Sequence, residues 1–146
     1  MVLDSKIYTM GGVDDDYATL DTVEVYDPQA DRWQQLARMP QGRRDHAAAA
    51  IGGKIYVTGG SDNQDNRQNS VFVYEPQANA WTQLASMSTA RRLHASAAVG
   101  GKLYVFGGFS TGGRLRTAEI YDPTSGSWAQ GLSLTSARES AVAVAL

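Results

Sequence analysis

Histidine is the side chain that changes charge closest to neutral pH, and this 146-residue chain has two, His46 and His94. A general base, a nucleophilic triad or a zinc site would need one of them. They stand 48 residues apart, each heading a run of small residues (His46–Ile51 and His94–Val99) and each three residues after an arginine, Arg43 or Arg91. A residue that returns with a fixed period serves a repeating element more readily than a single reaction. Both histidines therefore read as structural or rim residues. No Ser or Asp stands in a recognisable triad relation to either. No His-x-x-x-His pair exists for zinc.

The other chemistry-bearing groups fare no better. Asp14-Asp15-Asp16 and the Asp62/Asp65 loop lack the alternating acidic spacing and distal Glu of a calcium loop, so they read as solvated loop tips. The glycine pairs open no helix, which removes the phosphate-cradle reading. With no cysteine, disulfide scaffolds, thiolate zinc sites, iron–sulfur clusters and cysteine nucleophiles are excluded. Thirteen Lys+Arg against 15 Asp+Glu leave a net charge of −2, which argues against a nucleic-acid partner. No apolar run reaches a membrane span of about 18 residues, and the first residues are no signal peptide. The expectation is a soluble, cytoplasmic protein with no catalytic residue, no cofactor and no metal.

The elements that would position any site follow from the period. Gly11-Gly12, Gly59-Gly60 and Gly107-Gly108 repeat at intervals of 48, which divides the chain into units 4–51, 52–99 and 100–146 of a single region, 1–146. Each unit carries short alternating runs separated by turn residues, as in Ile55–Thr58, Val71–Tyr74 and Trp81–Leu84. No helical periodicity intervenes. Small residues fill the His46–Ile51 run, whereas Tyr26, Tyr74 and Tyr121 are each followed seven residues later by Trp33, Trp81 and Trp128. Small residues inside and bulky ones outside suit wedge-shaped sheets around an axis. The fold class is all-β.

Ile7-Tyr-Thr-Met-Gly-Gly12, Ile55-Tyr-Val-Thr-Gly-Gly60 and Leu103-Tyr-Val-Phe-Gly-Gly108, with the Tyr/Trp pairs and the Arg-x-x-His steps, resemble the Kelch motif three times over. The resemblance implies a β-propeller with one four-stranded blade per repeat and the alanine-rich strand innermost. The third unit departs from it: Arg138 is kept, Ala141 replaces the histidine, and the loop after Gly108 is one residue shorter.

Counting strands from the ends predicts twelve. Val2-Leu3 is the tail of an inner strand, and 139–146 is an inner strand with no blade of its own. Propellers have about 4 to 8 blades, so the expectation is that two copies close a six-bladed ring head to tail. The strand over 139–146 would complete the partner's first blade. An excised piece of a longer propeller, or an engineered half, is the other reading.

In Kelch-like proteins the loops after the second and fourth strands surround the channel mouth, the usual ligand site. Carried over, the mouth comprises Arg43, Arg44 and Asp45; Arg91, Arg92 and Leu93; and Arg138, Glu139 and Ser140. The outer loops are 13–21, 61–69 and 109–117. Arg43, Arg91 and Arg138 recur in every unit and are expected to be structural. Without them, Arg44 and Arg92 balance Asp45 and Glu139, so an acidic peptide or sugar acid is only weakly favoured. The functional expectation is a non-enzymatic, self-associating binding scaffold. The alternatives are an enzyme like the Kelch-type sugar-acid epimerases and a minimal or designed half-propeller with no ligand. Copper-oxidase chemistry found on some Kelch propellers needs a cysteine that is absent here.

Overall fold

The computed structural model describes residues 1–145. Fourteen strands and no helix are present among them. The first blade is β1 (Val2–Leu3), β2 (Lys6–Met10), β3 (Val23–Asp27) and β4 (Arg32–Gln35); the second is β5 (Ala47–Ile51), β6 (Lys54–Thr58), β7 (Val71–Glu75) and β8 (Ala80–Leu84). In the third, β9 (Ala95–Val99), β10 (Lys102–Phe106), β13 (Ala118–Asp122) and β14 (Ser127–Gly131) follow the same order. Each blade is an antiparallel meander, as short alternating runs joined by tight turns require. No helix among the described residues is long and apolar enough to cross a membrane.

Three details differ from the strand count. The loop of the third repeat folds into its own hairpin, β11 (Phe109–Ser110) with β12 (Gly113–Arg114), where the second loop makes only the bridge Ser61↔Arg67. The first blade has a short inner strand of its own: Val2 and Leu3 pair with Ile7 and Lys6, and Met1 exchanges two backbone hydrogen bonds with Tyr8. The inner strand expected over 139–146 forms no ladder in residues 139–145, because no neighbouring strand of this chain runs beside it; Leu146 lies outside the described residues.

Repeat units and blades are offset by one strand. Unit 4–51 supplies β2, β3 and β4 to the first blade and β5 to the second, so each chain segment ties one blade to the next. Side chains then seal the joints. Tyr8, Val23, Val25 and Met39 of the first repeat pack on Ile55, Val57 and Tyr74 of the second blade. One blade on, Ala49, Tyr56, Val71 and Met87 pack on Leu103, Val105 and Tyr121. Burying each of the larger of these side chains stabilises by about 1.5–3 kcal/mol. The cores therefore lie between blades rather than within any one of them.

The tyrosine–tryptophan spacing is a cross-strand pairing. Tyr26↔Trp33, Tyr74↔Trp81 and Tyr121↔Trp128 face each other on the outer two strands, with ring centroids 5.2, 5.0 and 5.2 Å apart. Two of the indoles also reach the preceding blade. Trp81 Nε1 donates to the Ala37 carbonyl at 2.9 Å, and Trp128 Nε1 to that of Ala85 at 2.8 Å.

Candidate functional site

The arginines that recur in every repeat turn inward. Arg43 is fully buried, donating to the Gly59 carbonyl at 2.9 Å and to Ser70 Oγ at 3.0 Å, with its guanidinium 4.6 Å from the Phe72 ring centre. Burial with no carboxylate partner lowers its pKa to about 10. Arg91 is as deeply buried but forms an ion pair with Glu119 at 2.9 Å, in addition to bonds to Gly107 O and Thr117 Oγ1. Both guanidiniums are sealed from solvent. Arg138, with no blade beside it, is exposed, and its guanidinium bonds Ser136 Oγ at 2.7 Å.

The histidines sit beneath these arginines. His94 Nε2 is hydrogen-bonded to Thr58 Oγ1 at 2.8 Å, and burial together with the nearby Arg91 charge drives its pKa down to about 3. His46 is held down to about 4, chiefly by burial and then by Arg43. Both are neutral imidazoles at ordinary pH, wedged against the glycine pair of the preceding blade. A Cβ added to Gly59 would lie 2.5 Å from the Arg91 carbonyl oxygen and 2.7 Å from His94 Cε1. That position also has φ +58°, so the glycine is required twice over.

Asp45, Leu93 and Ser140 are backbone elements of the mouth. All three have positive φ (56°, 52° and 54°), and they form a relay around the axis: Leu93 N–H donates to the Asp45 carbonyl and Ser140 N–H to that of Leu93, both at 2.8 Å. A non-glycine residue in this region costs about 1–3 kcal/mol, which the relay offsets.

The two remaining arginines, both half-buried, join one cluster. Arg44 and Arg92 converge on the same Asp65 oxygen, at 3.0 and 2.5 Å. Arg67 lies 5.2 Å from the Phe109 ring centre, and Arg92 lies 5.9 Å from it. Glu139 is taken by Arg114, 2.8 Å away. The loops after the second strand and those before the inner strand thus meet at one face. Of the expected set, Arg44 and Arg92 come together and Glu139 stands apart from them. Arg67 and Phe109 were not singled out by sequence, and Asp65 was read only as part of a solvated loop tip; their one signal as a mouth cluster was membership of the variable outer loops. Asp62 is used locally, accepting from Gln64 N, Asn66 N, Asn66 Nδ2 and Gln68 Nε2 to hold its own loop.

Two further surfaces are defined by what they lack. The free face of the third blade forms an apolar hollow of about 450 Å³, lined by Ala97, Tyr104, Phe106, Ala118, Ile120 and Leu132 among others. On the first blade, Ile7 is 39% exposed, whereas its equivalents Ile55 and Leu103 are sealed inside joints. A second hollow of about 430 Å³ lies where β1 stops short, beside Thr9, Met10 and His46.

A family model described as the KLHDC2/KLHL20/DRC7 Kelch-repeats domain matches residues 1–145. Kelch-like protein 21 of Bos taurus is 40% identical over 50 residues, and those of Mus musculus and Homo sapiens are 39% identical; the match covers 34% of this chain and 8% of each relative. Among solved structures, that of YjhT superposes with a TM-score of 0.85 at 17% identity, over 99% of this chain and 57% of its own. The chain thus spans little more than half the length of that neighbour and a small fraction of the curated relatives.

Proposed function

Because the chain belongs to the Kelch-repeat family, we propose that it is a non-enzymatic binding and assembly scaffold, two copies of which close a six-bladed ring. The observation that carries this reading is the correspondence between the two open faces. Tyr104 and Ala118 on the third blade hold the positions that Tyr56 and Val71 hold in the second, where they are buried against the next blade. Ile7 and Tyr26 on the first blade hold the positions of Leu103 and Tyr121, which receive them. One open face is the complement of the other, and a second copy brings them together twice. An exposed apolar hollow of this size is otherwise an association liability.

In such a ring the partner's Val142 and Ala143 extend β1 opposite Met10 and Thr9, and enter the hollow that β1 leaves. The rest of the partner's strand is excluded by Met1–Leu3, which already occupy the inner edge opposite Lys6–Tyr8. Ligand contacts come from the mouth cluster. A carboxylate ligand competes with Asp65 for Arg44 and Arg92, which favours weak, salt-sensitive binding of an acidic peptide or sugar acid. The histidines, neutral at ordinary pH and with His94 buried, support a scaffold over a proton-transfer enzyme.

Light scattering on the purified chain tests the ring. A species of twice the 15.7 kDa chain mass is expected. A single-chain mass that persists at high protein concentration overturns the proposal.

A further inference from the structure

The two joints inside the chain are built with different chemistry, and the difference is written in two places at once. At the first, Arg43 stacks on Phe72, and the segment leading to the arginine is Met39-Pro40-Gln41-Gly42. At the second, Glu119 replaces the phenylalanine, and the segment is Met87-Ser88-Thr89-Ala90. The Glu119 carboxylate accepts from Ser88 N at 2.7 Å, Thr89 N at 3.2 Å and Arg91 at 2.9 Å. Pro40 has no N–H to offer at the place of Ser88, so an aromatic joint suits it and an acidic one does not.

The open halves at the two ends of the arc can be sorted the same way. Leading to Arg138 is Leu134-Thr135-Ser136-Ala137, which matches the Ser88-Thr89-Ala90 pattern in its free N–H donors and in the alanine before the arginine. On the first blade, the positions of Thr117 and Glu119 are held by Thr22 and Glu24, whereas the second blade has Ser70 and Phe72 there. Arg138 is exposed, and Glu24 forms no ion pair among the described residues. Both halves are of the acidic kind.

We infer that the surface formed by Thr135, Ser136 and Arg138 on the third blade is a docking site for a second copy of this chain, which it recognises through a buried ion pair between Arg138 and the partner's Glu24. This rests on the ring reading above and specifies its chemistry. The same superposition of joints puts the Trp33 indole within reach of the partner's Leu132 carbonyl, as Trp81 reaches Ala37 and Trp128 reaches Ala85. Trp33 is 53% exposed and Leu132 95% exposed in the single chain. A phenylalanine at the place of Glu24 would leave the Thr135 and Ser136 N–H groups without the carboxylate that Glu119 offers Ser88 and Thr89, so the pair also sets register. The closing joint accepts an acidic blade and rejects an aromatic one.

Charge reversal with mixing tests the assignment. Glu24→Arg alone and Arg138→Glu alone each place like charges at both closing joints. Each is expected to weaken association by about a hundredfold or more. An equimolar mixture of the two variants builds one native joint and one reversed joint, and is expected to recover the two-chain species. Arg138→Met, at a side chain that lies in solvent in the single chain, is expected to weaken association without disturbing the fold, and it carries the test if Glu24→Arg unfolds. A two-chain wild type whose variants associate as tightly as it does overturns this joint while leaving the ring intact. Variants that dissociate but are not rescued by mixing also overturn it. A wild type that never associates overturns the ring itself.

Discussion

Arg91 and Glu119 meet at 2.9 Å across the joint between the second and third blades, with side chains 0% and 1% exposed. One joint earlier, the equivalent arginine faces Phe72 instead, and its charge is satisfied by backbone carbonyls and a serine. A single repeat thus tolerates two solutions to the same burial problem. Each is consistent only with its own preceding segment.

Removing half of the acidic solution should be costly. Glu119→Gln leaves a buried guanidinium without its counter-ion and is expected to destabilise the fold by about 3–5 kcal/mol. Breaking the exposed Lys54–Glu75 pair with Lys54→Ala is expected to cost no more than about 1 kcal/mol. Urea denaturation of the two variants measures the contrast.

The histidines give stability a pH slope. Their folded-state pKa values, about 4 for His46 and about 3 for His94, lie below the 6.5 of an unperturbed imidazole. The unfolded chain therefore binds protons that the native chain refuses, and stability present above pH of about 6.5 is lost as pH falls toward the folded values. Between pH 7.5 and 5, a window above the acidic carboxylates, the urea midpoint is expected to drop. A His46→Gln/His94→Gln double variant is expected to show a flatter slope over that window.

Much of this was legible in the residues. The 48-residue period, the Tyr/Trp spacing and the glycine pairs carried the blades, because each reports a local steric or packing demand that recurs. The structural role expected for Arg43 and Arg91 followed from their recurrence, yet their sequence neighbours gave no sign that one would be sealed against Phe72 and the other against Glu119. Asp65 was hidden for the opposite reason: it sits in a variable loop, and its meaning comes from two arginines 21 and 27 residues away that only the fold brings together. The inner strand expected over 139–146 needs a neighbour that a single copy does not supply.

Gly12 reports on closure. Gly60 and Gly108 are glycines because a Cβ there would lie 2.5 and 2.6 Å from the carbonyl oxygens of Arg44 and Arg92, whereas nothing lies within 4 Å of one at Gly12. In the proposed ring that space would receive the partner's Glu139 carbonyl. Gly12→Ala, at φ +95°, is therefore expected to lower single-chain stability by only about 1–2 kcal/mol. It is expected to weaken association far more than that strain accounts for. Equilibrium sedimentation beside a thermal melt separates the two effects.

At the mouth, Asp65→Asn releases both Arg44 and Arg92. A fluorescently labelled glutamate-rich peptide is expected to bind this variant several-fold more tightly than wild type, with the gain shrinking as salt rises, since exposed charges are screened over about 8–10 Å. Anisotropy titrations at two salt concentrations measure it, and equal binding by the two proteins would contradict a role for the pair.

The closed ring is the claim from which most of this follows, and small-angle X-ray scattering tests it most directly because it reads mass and shape together. Two closed copies predict twice the 15.7 kDa chain mass and a radius of gyration of about 19 Å. A single-chain mass with a radius of about 15 Å, unchanged across concentration, would contradict it.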